Sequence, residues 1–313
     1  MAHTHGHRHG DERRSANRRA LAAVLALTAS FTVVEFVGGL LTGSLALLAD
    51  AGHMLSDTLA LALAFLASWL ASRPATPQRS FGLQRAEILA ALANGVTLVA
   101  ISIWIFVEAY RRLGDPPEVL GSWMLVVAAA GLLVNLTAAG VLMRSERESL
   151  NVQAALRHVL ADALGSVGAI VAALVILATG WLYADPLVSA LIGLLILASS
   201  WGVLRDSVGI LLEAAPRGID ASEVGRRLSS APGVAEVHDL HIWTITSGFP
   251  ALAAHVLVPP GEDCHARRRE LEELIRREYG IEHTTLQVEH LHHRGRLVTI
   301  GDIERTGSGD PGA

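Results

Sequence analysis

The chain of 313 residues contains no lysine and a single cysteine, Cys264, and only 5% of its residues are aromatic. One cysteine excludes an intramolecular disulfide and a multi-cysteine zinc site. With no lysine, arginine alone carries fixed positive charge, so arginine alone reports orientation across a membrane. No nucleic-acid surface is expected: the net charge is −5, and the basic residues near the C-terminus interleave with acids on a helix. Histidine is scarce through the middle of the chain, where only His53 and His158 fall between Leu21 and Leu212.

What is abundant is apolar sequence. Hydrophobic residues make up 51% of the chain, and mean hydropathy is +0.41. They gather in runs at about 20–41, 44–71, 87–110, 121–143, 152–180 and 186–204, each long enough to span a hydrocarbon core of about 30 Å. Six transmembrane helices in contact with membrane lipid follow. The first run is too long for a cleavable signal, lacks a small-residue cleavage site, and is followed by five more spans.

Arg13, Arg14, Arg18 and Arg19 precede the first span. Arg73, Arg79 and Arg85 lie between spans two and three, and Arg144, Arg147 and Arg157 surround the start of span five. The connectors after spans one and five carry none. The positive-inside rule therefore places both termini in the cytoplasm of an inner-membrane protein. Arg111 and Arg112, at the other end of span three, dissent.

Residues 1–14 form a polar tail with His3, His5, His7 and His9 at alternate positions. Residues 15–213 form the membrane domain, and Pro216 and Gly218 mark the exit from it. Residues 214–293 read as a soluble domain. Asp220 or Ser222 caps a helix to about Ser230, strands follow at 234–246 and 251–258, a helix at 263–279, and a strand at 284–288. The order αββαβ predicts a small α+β sandwich with helices on one face of the sheet. Residues 294–313, rich in Gly, Ser, Asp and Pro, read as a disordered tail.

Both intramembrane histidines are followed four residues later by aspartate, in His53-Met-Leu-Ser-Asp57 and His158-Val-Leu-Ala-Asp162. That spacing puts each pair on one helix face, a turn apart. A lone polar residue at this depth often serves as helix–helix glue. Two such pairs, from the only two histidines, among 12 aspartates in 313 residues, favour a ligand set instead. Two imidazoles and two carboxylates suit tetrahedral Zn²⁺, with Co²⁺ and Cd²⁺ as alternatives, and the carboxylates cancel the ion's charge. Four protein ligands leave no open position for a reactive water, which argues against a metallohydrolase. Release of the ion is expected from proton competition, since a histidine with its ordinary pKa of about 6.5 binds either a proton or a metal.

Glu35, Asn94 and Asn135 read as packing or supporting groups rather than ligands. Asp50 lies three residues before His53, about 60° around the helix, and is expected to line the route to the site.

Eight histidines crowd residues 238–293. His238 and His255 fall on adjacent predicted strands and Glu289 ends the third, so these three are candidates for a second zinc site, with His265 nearby. The N-terminal His3, His5, His7 and His9 are candidates for weak, labile metal capture.

The chain also resembles the cation diffusion facilitator family, near its bacterial zinc, cobalt and cadmium exporters. The resemblance covers residues 15 to about 290. It rests on Ser44-Leu-Ala-Leu-Leu-Ala-Asp-Ala-Gly-His-Met-Leu-Ser-Asp57, Arg79-Ser-Phe-Gly-Leu-Gln-Arg-Ala-Glu87, Asn151-Val-Gln-Ala-Ala-Leu-Arg-His-Val-Leu-Ala-Asp162 with Gly165-Ser-Val-Gly168, and Val237-His-Asp-Leu-His-Ile-Trp243. It implies a homodimer, a metallochaperone-like cytoplasmic domain, and export of divalent metal in exchange for protons by alternating access. The family's transport site falls on His53, Asp57, His158 and Asp162. In related branches aspartate replaces the first histidine and metal preference broadens, so His53 implies zinc. The family's cytoplasmic site falls on His238, His255, His265 and Glu289, with the poor ligand Gln287 at one further position. A loop site of some members is implied to be absent, because Arg79 and Leu83 stand where it needs histidines. A charge pair at the dimer waist falls on Arg85 and Glu213. The histidine-rich loop of many animal members is replaced by the short Arg144–Asn151 segment.

Two rival readings fit parts of the pattern. An intramembrane metalloenzyme needs an open metal position beside a general base. A membrane-bound zinc sensor needs only the soluble domain to work.

Overall fold

The computed structural model describes residues 6–143 and 150–291. The histidine tail's His3 and His5, the segment 144–149 and the C-terminal tail from residue 292 lie outside the described residues. The chain divides into two compact units, Met1–Val208 and Gly209–Ala313.

The first unit contains six helices: α1 (Gly6–Thr42), α2 (Leu45–Ala71), α3 (Ala86–Gly114), α4 (Gly121–Met143), α5 (Leu150–Thr179) and α6 (Ala184–Leu211). All six contain segments long and apolar enough to cross a membrane, beginning at Leu21 in α1 and Ala155 in α5. The helices outrun the apolar sequence at two ends. α3 continues to Gly114 through Arg111 and Arg112, and α6 continues to Leu211 through Arg205 and Asp206. Helical hydrogen bonding does not require apolar side chains, so a span and its helix need not end together.

The α1–α2 turn shows how local sequence sets the geometry. Gly43 takes the left-handed conformation, at φ +72°, which glycine reaches without a Cβ penalty. Ser44 then caps α2 in an extended conformation, its Oγ accepting from Leu47 N at 3.3 Å. This satisfies one of the orphan donors of the first turn.

Small residues bring these helices close. Gly131 and Ala128 of α4 and Ala169, Ala172 and Ala173 of α5 line contacts within the unit, and the named alanines are fully buried. Close approach of small residues is the usual means of packing helices in lipid, where apolar surfaces gain little from hiding from one another. The outward faces are correspondingly apolar: Leu41, Phe65 and Trp201 are each exposed by two thirds or more. A soluble monomer does not expose apolar surface on this scale.

The second unit contains α7 (Ala221–Ser229), β1 (Glu236–Thr246), β2 (Phe249–Val258), α8 (Cys264–Tyr279) and β3 (His283–His290). The sheet order is β1-β2-β3, with β1 and β2 antiparallel and β2 and β3 parallel. This is the predicted αββαβ order, with longer second and third strands. Ser247 and Gly248 alone make the hairpin turn, so Phe249 and Pro250 already pair with β1. Asp220 and Asp263 cap α7 and α8, and Gly280 ends α8 in the left-handed conformation.

The core of this unit joins both helices to the sheet. Leu228 of α7, Leu252 and Val256 of β2, Leu271 and Ile275 of α8, and Ile281 form one buried cluster. Arg227 and Glu278 tie the two helices at the surface, with hydrogen bonds of 2.9 and 2.8 Å. Arg227 holds the Glu278 carboxyl below its usual range. An exposed pair of this kind adds little to stability, because water and salt screen it. Urea unfolding of the 209–313 unit is expected to show Ile275→Ala destabilising by about 2–5 kcal/mol, with the Arg227→Ala midpoint close to that of wild type.

Candidate metal centre

α2 and α5 bring the two His-x-x-x-Asp turns together. His53 Nε2 lies 3.5 Å from Asp57 Oδ2 and 4.0 Å from Asp162 Oδ1. His158 Nε2 lies 3.3 Å from Asp57 Oδ2 and 3.6 Å from Asp162 Oδ2. Each imidazole therefore sits between two carboxylates, one from its own helix and one from the other. The rings approach edge-on, 5.9 Å between centroids.

The His–Asp distances suit the edges of one coordination shell: His53, His158 and Asp162 offer ligand atoms within 4.8 Å of one another, and Asp57, outside that group, approaches both imidazoles. A zinc tetrahedron with bonds of about 2.0–2.1 Å has ligand–ligand edges of about 3.3–3.4 Å. Asp57 Oδ2, Asp162 Oδ1 and His53 Nδ1 are buried atoms without a hydrogen-bond partner. Unsatisfied oxygens at membrane depth are costly, and a bound cation would satisfy them.

Access is lopsided. Asp162 is buried and His158 is nearly half exposed. A cavity of about 560 Å³ reaches Asp57, His158 and Asp162 along Leu21, Leu25 and Thr28 of α1. Another, of about 630 Å³, runs from Asp57 and His158 past Ser68, Glu87 and Asn94. The first extends toward the start of the apolar part of α1, and the second toward the end of α2 and the start of α3. The opposite end of α2 is closed, with Ala46, Leu47, Ala49 and Asp50 buried. Asp50 borders a third cavity with His53 and Asp162.

Two of the expected supporting groups bridge helices. Asn94 Oδ1 accepts from Ser56 Oγ at 3.1 Å, joining α3 to α2. Asn135 Nδ2 donates to Ser166 Oγ at 3.4 Å, joining α4 to α5.

Asp185, at the start of α6, was not legible as a functional position. It is fully buried and accepts from Ser44 Oγ at 2.6 Å, Leu45 N at 2.8 Å and Ala46 N at 3.2 Å. It thus holds the N-terminus of α2, where the helix dipole favours an anion. Arg112 completes the knot, donating to Gly43 O at 2.6 Å, Asp185 Oδ2 at 3.4 Å and Glu108 Oε1 at 3.1 Å. The only sequence signal was an aspartate opening an apolar run, which is also an ordinary helix start.

In the second unit, a single row of the sheet aligns His238, His255 and Gln287: His238 pairs with His255, and His255 with Gln287. The two imidazoles stand 5.3 Å apart. A register shift between His238 and His241 leaves Asp239 at φ +50°, and Asp239 joins the two histidines as a third potential ligand within 4.8 Å. Glu289 stands two residues beyond Gln287 and accepts a short hydrogen bond from its amide. His265 lies in the first turn of α8, where Asp263 accepts from its backbone N–H at 2.9 Å. Among the described residues, neither Glu289 nor His265 joins the His238–His255 cluster.

Arg85 precedes α3 in a helical conformation, and Glu213 follows α6 at φ +60°. For His7 and His9 only the backbone is described, within α1.

Six membrane-crossing helices around paired imidazole–carboxylate turns define a multi-pass membrane protein of the metal-transporting class. Residues 21–212 match the cation efflux transmembrane domain, and residues 216–291 match the cation efflux protein cytoplasmic domain. The chain belongs to the cation efflux family, and so is a transporter rather than an enzyme. It is 46% identical to the zinc transporter ZitB of Escherichia coli over 292 residues, covering 93% of each chain. It is 41% identical to a cadmium, cobalt and zinc/H⁺-K⁺ antiporter of Bacillus subtilis, covering 91% of this chain and 92% of that one. It is 42% identical to the metal cation efflux protein CzcD of Cupriavidus metallidurans, covering 92% and 89%. Among solved structures, the metal-bound C-terminal domain of a CzcD transporter is 35% identical, covers 23% of this chain and 99% of that one, and superposes with a TM-score of 0.22.

Removing Asp185 strands Arg112 and three donors in a buried site. Asp185→Ala is expected to cost about 3–5 kcal/mol, seen as a lower Tm in detergent. The folded fraction should keep the wild-type number of bound zinc ions.

Proposed function

We propose that the protein exports divalent metal, Zn²⁺ foremost and Cd²⁺ and Co²⁺ besides, from the cytoplasm across the inner membrane in exchange for protons. His53, Asp57, His158 and Asp162 hold the ion during transit. The observation that carries this reading is the convergence of four ligand side chains from α2 and α5 at distances of 3.3–4.0 Å.

The chemistry of the donor set explains why such a site transports. Two carboxylates and two neutral imidazoles balance a divalent charge in a low dielectric. The same nitrogens and oxygens bind protons, so acid on the far side displaces the metal and metal on the near side displaces protons. With the arginines placing both termini in the cytoplasm, the two long cavities face inward and the closed end of α2 faces outward. The conformation is then the loading one of an alternating-access cycle.

The soluble domain serves the homodimer. His238 and His255 form a second metal-binding position there. Asp239 is the third ligand closest to hand, with His265 and Glu289 as the further candidates the family resemblance supplies. The histidines at positions 3, 5, 7 and 9 supply weak capture of cytoplasmic metal. At the dimer waist Arg85 and Glu213 form a charge pair.

In proteoliposomes, Asp57→Ala is expected to abolish zinc flux while the soluble domain still binds metal. An outwardly acidic gradient should accelerate wild-type flux, and flux indifferent to the gradient would sink the exchange reading. Charge reversal at Arg85 is expected to weaken dimerisation, with partial recovery in the Arg85→Glu/Glu213→Arg double variant. Analytical ultracentrifugation in detergent reads this directly, and an equally weak double variant contradicts the pair.

A further inference from the structure

One helical turn from the metal tetrad lies a second set of buried oxygens without partners. Glu35 of α1 is fully buried, and neither of its carboxylate oxygens meets a hydrogen-bond donor. Asp50 of α2 is 2% exposed and close enough to Glu35 for the two carboxylates to act on each other electrostatically. Its Oδ2 also lacks a donor. Ser166 of α5, one turn past Asp162, is buried and follows Gly165, whose position abuts the Asp50 carboxylate. Because Ser166 Oγ accepts from Asn135 Nδ2, the amide turns its Oδ1 away from a partner as well. Gly165 makes the room: a Cβ there would come within 2.9 Å of Asp50 Oδ1.

Two carboxylates buried this deeply and short of donors need a cation between them. The groups facing the pair name which one. α1 offers no other titratable residue in its membrane span, and α4 none at all. α2 offers His53, and α5 offers Asp162, both belonging to the tetrad. No arginine approaches to compensate the charge among the described contacts. The site offers only oxygen donors, and none of the nitrogen or sulfur that zinc prefers. Both carboxylates are exposed by 2% or less, and Asp50 borders the cavity of about 460 Å³ that also reaches His53 and Asp162, which gives a proton a short route between pair and tetrad.

We infer that Glu35 and Asp50 form a proton-carrying pair, separate from the metal ligands, that holds a proton exchanged for the metal. The inference rests on the exchange reading above and gives the counter-ion its own seat. The pair lies on the closed side of the tetrad, toward the start of α2. Coupling follows from charge: a divalent ion in the tetrad repels a proton one turn away, and a proton on the pair weakens the tetrad's hold on metal. Such linkage is reciprocal.

The test is calorimetric titration of the full-length protein with zinc in buffers of different ionisation enthalpy, which counts protons released per ion bound. His238→Ala/His255→Ala serves as background, so that the tetrad dominates. Glu35→Gln and Asp50→Asn are each expected to raise the zinc Kd by about tenfold or more, because the neutral side chain fixes the pair in its weak-binding form, while releasing about one proton fewer per zinc. Glu35→Asp and Asp50→Glu should restore the count. Zinc-induced infrared difference spectra should show loss of a carboxylic-acid carbonyl band in the parent protein, a reading that needs no neutral variant to fold. An unchanged proton count in both neutral variants, or no such band, overturns the inference. So does a proton count that falls when K⁺ or Na⁺ replaces choline, because the pair then holds a hard metal cation. If the parent protein releases no protons and its flux ignores a pH gradient, the exchange reading fails first and takes the pair with it.

Discussion

A divalent charge at membrane depth is tolerable only where two negative charges cancel it, and the contact between α2 and α5 brings two carboxylates and two imidazoles to one place, as the proposed transport site requires. Asp57 and Asp162 come from different helices, and each imidazole bridges them. Neither helix holds all four side chains, so the proposed site depends on the relation between α2 and α5. Much of the surrounding structure serves that relation. Small residues on α4 and α5 allow close packing, Asn94 and Asn135 stitch neighbouring helices together, and Asp185 fixes the closed end of α2.

The Asp185–Arg112 knot gives one of the two arginines that dissent from the proposed orientation a structural role. Arg112 counts against the assigned orientation when arginines are tallied by position. In the fold its side chain is largely buried and paired with two carboxylates, so it is a structural cation rather than a free charge waiting on one side of a bilayer. The positive-inside rule concerns loop charges that must stay uncrossed during insertion. Arg111 beside it is the more exposed of the two and reaches only Glu108, at 4.0 Å.

The six spans and the αββαβ order were legible because apolar run length and strand alternation are local properties. The tetrad's members were legible because a spacing of four fixes a shared helix face without knowledge of the fold. Asp185 was hidden because its partners lie about 140 residues away and it looks like any N-terminal helix aspartate. Asp239 was hidden for a different reason. Strand alternation puts neighbours on opposite faces, and only the irregularity between His238 and His241 brings Asp239 beside the two histidines. Glu289 was favoured by the reading of strand ends, yet the register sets Gln287 opposite His255 and leaves Glu289 one pleat further on.

The central claim is a closed coordination sphere of two imidazoles and two carboxylates. Zinc K-edge X-ray absorption on the purified protein, carrying His238→Ala and His255→Ala and loaded with one ion per protomer, measures that sphere directly. The account predicts four nitrogen and oxygen ligands at about 2.0–2.1 Å, two of them with the outer-shell scattering of imidazole. Replacing Asp57 should change the sphere. A spectrum showing five or six ligands, a bound water in an open position, or no imidazole scattering would contradict it.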